Sequence, residues 1–198
     1  MSESEVAGSE IYLQPSVIFE QGRRYMVRAR SGHGKTSLLN FIYGTSGQYD
    51  GEVVLTENGE RREENELRIR VLSYMFQDLC LFPELTAMEN VLLKNRLTGF
   101  KSEAEIGAML DLLLPSGKKG QPVATLSLGQ RQRVAAVRAL CQPFRFLLMD
   151  EPFSHIDSDN ARRVADMVMG EVGKQGAGLI VTALDAIDCF PFDATFNL

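Results

Sequence analysis

Tyr25-Met26-Val27-Arg28-Ala29-Arg30-Ser31-Gly32-His33-Gly34-Lys35-Thr36-Ser37-Leu38-Leu39 is the stretch on which the fold turns. Tyr25 to Ala29 reads as a strand, and Leu38, Leu39, Phe41 and Ile42 give a helix starting near Lys35 its apolar side. Gly44 stands where a glycine ends such a helix. Between strand and helix, Ser31, Gly32, His33, Gly34, Lys35, Thr36 and Ser37 follow the spacing G-x-x-x-x-G-K-[ST], which in this context is a loop shaped around phosphate. Its glycines let the backbone close on an anion, and successive N–H groups and the helix N-terminus face that anion. Lys35 adds a point charge for β- and γ-phosphates, and Thr36 offers a hydroxyl to Mg²⁺. Ala29 takes the place of the first glycine, a change that displaces the start of the loop if the position needs φ above zero. Arg28 is a charge in a strand expected to be buried, and nothing nearby in the sequence explains it.

Outward from this unit, strand-like and helical patterns alternate, which predicts an α/β fold with a mostly parallel sheet. Val17 to Phe19 reads as a short strand ahead of the loop unit. Beyond it, Val53 to Thr56 and Val71 to Phe76 read as strands around Glu57-Asn58-Gly59-Glu60, whose Asn-Gly pair signals a turn and an antiparallel β lobe. From Thr86 to Leu114 the pattern is helical. Thr86 with Glu89 and Ser102 with Glu105 have capping-box spacing, and Ile106, Met109, Leu110 and Leu113 make one apolar face. Pro115 to Gly120 breaks the pattern, and Ser127 can cap a further helix through Leu140. A buried-type strand, Phe146 to Met149, precedes an amphipathic helix with Ala161, Val164, Ala165, Val168 and Val172 inward. Leu179 to Thr182 reads as the last strand.

The 198 residues suit one compact domain, and 44% hydrophobic with 24% charged residues is an ordinary globular composition. A net charge of -5 argues against a nucleic-acid partner. Cys80, Cys141 and Cys189 have no paired spacing and read as free thiols in a reducing compartment, with no zinc site. Met1 to Ser9 lacks the basic flank and apolar core of a signal peptide, and no apolar run approaches the roughly 20 residues of a membrane helix. No transmembrane segment is expected, so any membrane association runs through a partner.

Two carboxylates, Asp150 and Glu151, follow the Phe146 strand, at the sheet edge where open α/β folds bind ligands. Asp150 suits a Mg²⁺ ion held through water, and Glu151 suits a base that polarises water attacking a γ-phosphate. With Leu126-Ser127-Leu128-Gly129-Gln130 and Ser154-His155-Ile156-Asp157 in the same order, the chain resembles the ATP-binding cassette (ABC) family over nearly its whole length. Tyr74 to Val91 looks like the glutamine-loop segment of transport ATPases of the lipoprotein-releasing and macrolide-export type.

The resemblance implies a P-loop NTPase core of RecA-like type, about 1–78 and 124–198, with a helical subdomain at about 79–123. It implies ATP and Mg²⁺ as ligands. Gln77 would reach the metal and the attacking water alongside Thr36 and Asp150. Ser127, Gly129 and Gln130 would face the γ-phosphate held by an opposite copy, and Asp157 would lie in the loop crossing that interface. The implied protein is a head-to-tail homodimer, or one of a pair of cassettes, at the cytoplasmic face of the membrane through an integral permease subunit.

Three departures bear on that expectation. Ala183 stands where the family carries a switch histidine, which implies slow hydrolysis. Leu128 replaces the middle glycine of the signature, and the short N-terminus carries no clear adenine-stacking aromatic, with Tyr12 the candidate. The chain also stops soon after the last predicted strand, so the C-terminal helices usual in relatives are not expected. A nucleotide-gated regulatory or assembly module with little hydrolysis is the alternative reading. A cassette protein of DNA repair or translation is a third, disfavoured by the charge and by the lack of a coiled-coil insertion.

Overall fold

The structure is a computed structural model in which residues 8–57, 60–61 and 67–198 are described. Strand β1 (Arg24–Arg28) feeds the glycine loop and α1 (Lys35–Tyr43). Strands β2 (Thr56–Glu57) and β3 (Glu60–Arg61) form a small antiparallel pair, and a π-helical turn at Leu67–Val71 leads into β4 (Leu72–Met75). Helices α2 (Ala87–Asn95), α3 (Glu103–Leu113) and α4 (Leu128–Ala139) follow, with 3-10 turns at Lys118–Gly120 and Val123–Thr125 between the last two. The chain then runs through β5 (Phe146–Asp150), α5 (Ser158–Gln175), β6 (Gly178–Ala183) and β7 (Ala194–Asn197).

The main sheet has the order β4-β5-β6-β1-β7, with every neighbouring pair parallel. Strand side chains alternate between its faces. Leu147, Met149, Leu179 and Val181 join the cluster under α2 to α5, whereas Leu148 and Ile180 meet Val27, Leu38 and Leu39 on the α1 side. This is an α/β P-loop core, as the loop and strand pattern predict. Because β6 lies between β1 and β5, its C-terminal residues separate the glycine loop from the acidic pair: Ala183 is level with Arg28, and Thr182 is level with Asp150.

Helix starts follow the sequence closely. Thr86, Ser102 and Ser127 each cap a helix in a complete capping box, with Glu89, Glu105 and Gln130 as the reciprocal partners. Gly44 ends α1 in the left-handed conformation, φ 74°. On α3, Ile106, Leu110 and Leu113 are buried and Met109 packs at the cluster's margin.

Strand expectations fare less well. Val17 to Phe19 is not a strand, because β6 and β7 occupy both sides of β1. Phe19 packs instead by its ring, with centroids 5.0 Å from Tyr25 and 5.8 Å from Phe196. Of the expected Val53–Thr56 strand only Thr56 is in one, and Val53 and Val54 are exposed without a strand partner among the described residues. The antiparallel lobe is thus a two-residue ladder, and its expected turn residues, Asn58 and Gly59, lie outside the described residues. Leu179 to Thr182 is not the last strand, since β7 adds to the free edge of β1. Arg28, unexplained in sequence, is exposed there and donates to the side-chain oxygen of Asn197 at 3.1 and 3.2 Å. No helix among the described residues is long and apolar enough to cross a membrane.

Candidate functional site

The C-terminal edge of the sheet gathers the predicted glycine loop, Gln77, Asp150 and Glu151. Gly32 and Gly34 have φ of 83° and 84°, left-handed values that turn the loop back over the start of α1. Ala29 is not among the residues with positive φ, so the missing first glycine leaves the loop's start in place; its N–H donates to the Ala183 carbonyl at 3.2 Å. Ser31 is exposed, and its carbonyl lies 3.1 Å from His33 Nδ1 on the outer side of the loop. Ser37, in the first turn of α1, is half-buried.

Lys35 is 5% exposed, and its ammonium donates to the carbonyls of Ala29 at 2.7 Å and Arg30 at 3.0 Å. The same ammonium lies 3.3 Å from Glu151 Oε1. Glu151 itself sits at φ 47°, an unusual conformation for a residue with a side chain, and its N–H donates to the Thr182 carbonyl at 3.1 Å. Strand β5 ends there because Asp150 still pairs with β6 while Glu151 turns out of the ladder.

Thr36, Gln77 and Asp150 converge on one point. The Thr36 hydroxyl lies 2.6 Å from Asp150 Oδ2 and 3.1 Å from Gln77 Oε1. Asp150 is 1% exposed, and its other oxygen accepts a hydrogen bond from the fully buried Thr182 hydroxyl. A hydroxyl, a carboxylate and an amide oxygen form the donor set that a hard cation takes. Among the described residues no three His, Cys, Asp or Glu side chains gather to hold a metal alone. The set therefore fits an ion such as Mg²⁺ that is shared with phosphate oxygens and water. The glycine loop, with its N–H groups and Lys35, fits the phosphates.

Ser127, Gly129 and Gln130 form a separate cluster at the start of α4. Ser127 Oγ accepts from the Gln130 N–H at 3.3 Å, and Gln130 Oε1 accepts from the Ser127 N–H at 3.1 Å. A Cβ on Gly129 would meet the His155 carbonyl oxygen at 2.5 Å, so this glycine admits the Ser154–Asp157 segment against α4. Leu128, in place of a second glycine, is 41% exposed and meets no such constraint. Asp157 caps α5, accepting from the Asn160 N–H at 3.0 Å and side chain at 2.7 Å. Those bonds to Asn160 hold its carboxyl below the usual range.

Several contacts lie beyond the reach of sequence reasoning. Tyr12 donates its hydroxyl to the Gly34 carbonyl at 2.8 Å, and burial pushes that phenol up to about 12. Its ring also lines a cavity of about 580 Å³ with Ile11, Phe41, Ile42 and Leu55. Buried Gln132 spans Ser154 Oγ, 2.9 Å, and the His155 N–H, 3.1 Å. Thr182 supports Asp150, and only its place beside the switch position marked it. All are contacts across elements, and no local spacing encodes them.

Glycine loop, acidic strand end and the intervening β6 together define a P-loop nucleotide-binding protein. The sequence profile described as ABC transporter matches residues 13–154. The chain belongs to the ABC transporter family as an ATP-binding cassette. It is 31% identical over 175 residues to the lipoprotein-releasing system ATP-binding protein LolD of Saccharophagus degradans, covering 85% of this chain and 77% of LolD. It is 28% identical over 175 residues to the ABC transporter ATP-binding protein YclH of Bacillus subtilis, covering 86% and 77%. Among solved structures it is similar to MJ0796, described as a bacterial ABC transporter cassette in dimeric form, with TM-score 0.75 and 25% identity over 85% of this chain and 78% of that one.

Proposed function

We propose that this cassette binds Mg-ATP between two copies of itself and hydrolyses it to drive a separate membrane permease. The observation that carries the reading is the meeting of Thr36, Asp150 and Gln77 beside the Lys35–Glu151 pair. ATP would supply the γ-phosphorus and Mg²⁺ its charge neutralisation. Lys35 would exchange its two carbonyl contacts for the β- and γ-phosphates. Thr36 and Asp150 would hold the cation, and Gln77 would orient the water. As water adds to the γ-phosphorus and the bond to the bridging oxygen breaks, Glu151 would take the proton. Ser127 and Gly129 of a second copy would close over the γ-phosphate with a helix N-terminus, and Asp157 would lie along that interface.

The division into a core, about 1–78 and 124–198, and a helical subdomain, about 79–123, belongs to the same proposal. The subdomain, following the glutamine loop, is the part suited to meet a permease at the cytoplasmic face of the membrane. Likeness to a lipoprotein-releasing ATP-binding protein favours an exporter or lipoprotein-extraction system. Ala183 gives one specific reason for a second reading, a nucleotide-gated module that dimerises and hardly turns over, since a methyl group at 183 offers the γ-phosphate no hydrogen bond.

Steady-state Mg-ATP hydrolysis over a range of protein concentrations separates the two, with Lys35→Ala as background and Ala183→His beside wild type. More than linear dependence of wild-type turnover on concentration is expected for a working dimer. Turnover at background in wild type, restored by Ala183→His, would replace hydrolysis with the regulatory reading.

A further inference from the structure

Near the C-terminal end of α4, Arg138 reaches away from its own helix. One guanidinium nitrogen donates to the Cys80 carbonyl at 2.5 Å and the other terminal nitrogen donates to the Leu79 carbonyl. Leu79 and Cys80 have φ of 63° and 45°, two left-handed residues in succession, which residues with side chains rarely sustain without outside support. The turn opens at Phe76, whose carbonyl accepts the Leu79 N–H at 3.0 Å, so Gln77 and Asp78 are its inner residues. Leu79 is buried against the cluster that α4 helps to form. A planar fork of N–H donors suits two adjacent carbonyls, and a lysine ammonium does not reproduce it.

The opposite end of the same helix is the Ser127 cap, roughly 16 Å away along the axis for a regular helix. We propose that Arg138 is a positioning residue for the reaction: its fork holds the Leu79–Cys80 turn, sets the place of Gln77 and ties the glutamine loop to the helix that begins at Ser127. The kinetic half of this inference rests on the hydrolytic reading above; the structural half does not.

Cys80 supplies a readout inside the turn. Its thiol is exposed, but it donates to Asp78 Oδ1 at 2.9 Å, a hydrogen bond within the closed turn that keeps the sulfur protonated, so its alkylation rate rises when the turn opens. Cys141 is fully buried and reports on global unfolding. The test is the rate of maleimide alkylation at each cysteine, mapped by mass spectrometry on the full chain as wild type, Arg138→Lys and Arg138→Leu. Loss of a hydrogen bond to a charged donor should raise the Cys80 rate about tenfold in both variants while Cys141 stays protected. If Arg138→Leu opens Cys141 as well, Arg138→Lys carries the test. An unchanged Cys80 rate in Arg138→Lys, with Cys141 protected, overturns the clamp.

In hydrolysis assays, Arg138→Lys should lower kcat about tenfold with ATP affinity unchanged, and Arg138→Lys/Gln77→Ala should be no slower than Gln77→Ala. Effects that multiply would show that Arg138 does not act through Gln77. Should wild type fail to hydrolyse ATP, the catalytic reading falls, and alkylation of Cys80 still decides the clamp.

Discussion

Asp150 illustrates how much of this site depends on a single neighbour. Thr36 and Thr182 each hold one of its oxygens, and the residue is almost wholly buried. Thr182→Val keeps the volume but leaves a buried carboxylate oxygen without its donor, which should destabilise the chain by about 1–3 kcal/mol. If that hydroxyl aims Asp150 at a shared cation, the Mg²⁺ concentration for half-maximal hydrolysis should rise in Thr182→Val and return in Thr182→Ser. Titration of turnover with Mg²⁺ checks this, and an unchanged midpoint would reduce Thr182 to a packing role. The glycine loop and the acidic pair were legible in the sequence as short local patterns in strand or helix context, and Gln77 only through the resemblance of its segment to a known family. The roles of Thr182 and Arg138 and the hydrogen bond from Tyr12 to the Gly34 carbonyl were not. Their partners are brought to them by sheet order and helix packing, at separations no window of sequence spans.

At the level of elements, the helices were easier to read than the strands. A capping box needs only two residues at fixed spacing, and three of them mark α2, α3 and α4. Strand β7 is four residues of alternating burial whose status comes from the free edge of β1, so its sequence alone had little to say. Val53 to Leu55 has strand composition but no partner among the described residues, and composition without a partner makes no ladder. The packing of α4 on the loop before α5 offers a test in which two effects oppose. Gly129→Ala should favour α4 by about 1 kcal/mol through helix propensity. The new methyl, however, would sit 2.5 Å from the His155 carbonyl oxygen, a backbone atom that cannot rotate away. The close contact should win, with a net loss of about 1–3 kcal/mol in thermal unfolding; a gain in stability would mean that the Ser154–Asp157 segment yields freely.

Across the whole molecule, the segment of α2 and α3 is fastened to α5 by more than apolar packing. Lys101, between α2 and α3, is gripped by the Asn95 side chain at 2.7 and 2.9 Å and reaches Glu171 on α5 at 2.7 Å. Both side chains of that ion pair are 8% exposed, so surface screening does little to weaken it. Lys101→Met would leave Glu171 only the exposed Lys174 as partner, 2.8 Å away, and should cost about 3 kcal/mol in urea unfolding. Lys101→Met with Glu171→Leu should recover most of it, whereas an undiminished loss would trace the effect to Asn95 and the backbone. A different kind of evidence lies in the φ of 47° at Glu151. Glycine would relieve that backbone but would leave the buried Lys35 ammonium without its carboxylate, so the bend sets conformational cost against charge pairing. A locally costly main-chain bend is thus tolerated where it seats a carboxylate against the ammonium of the glycine loop.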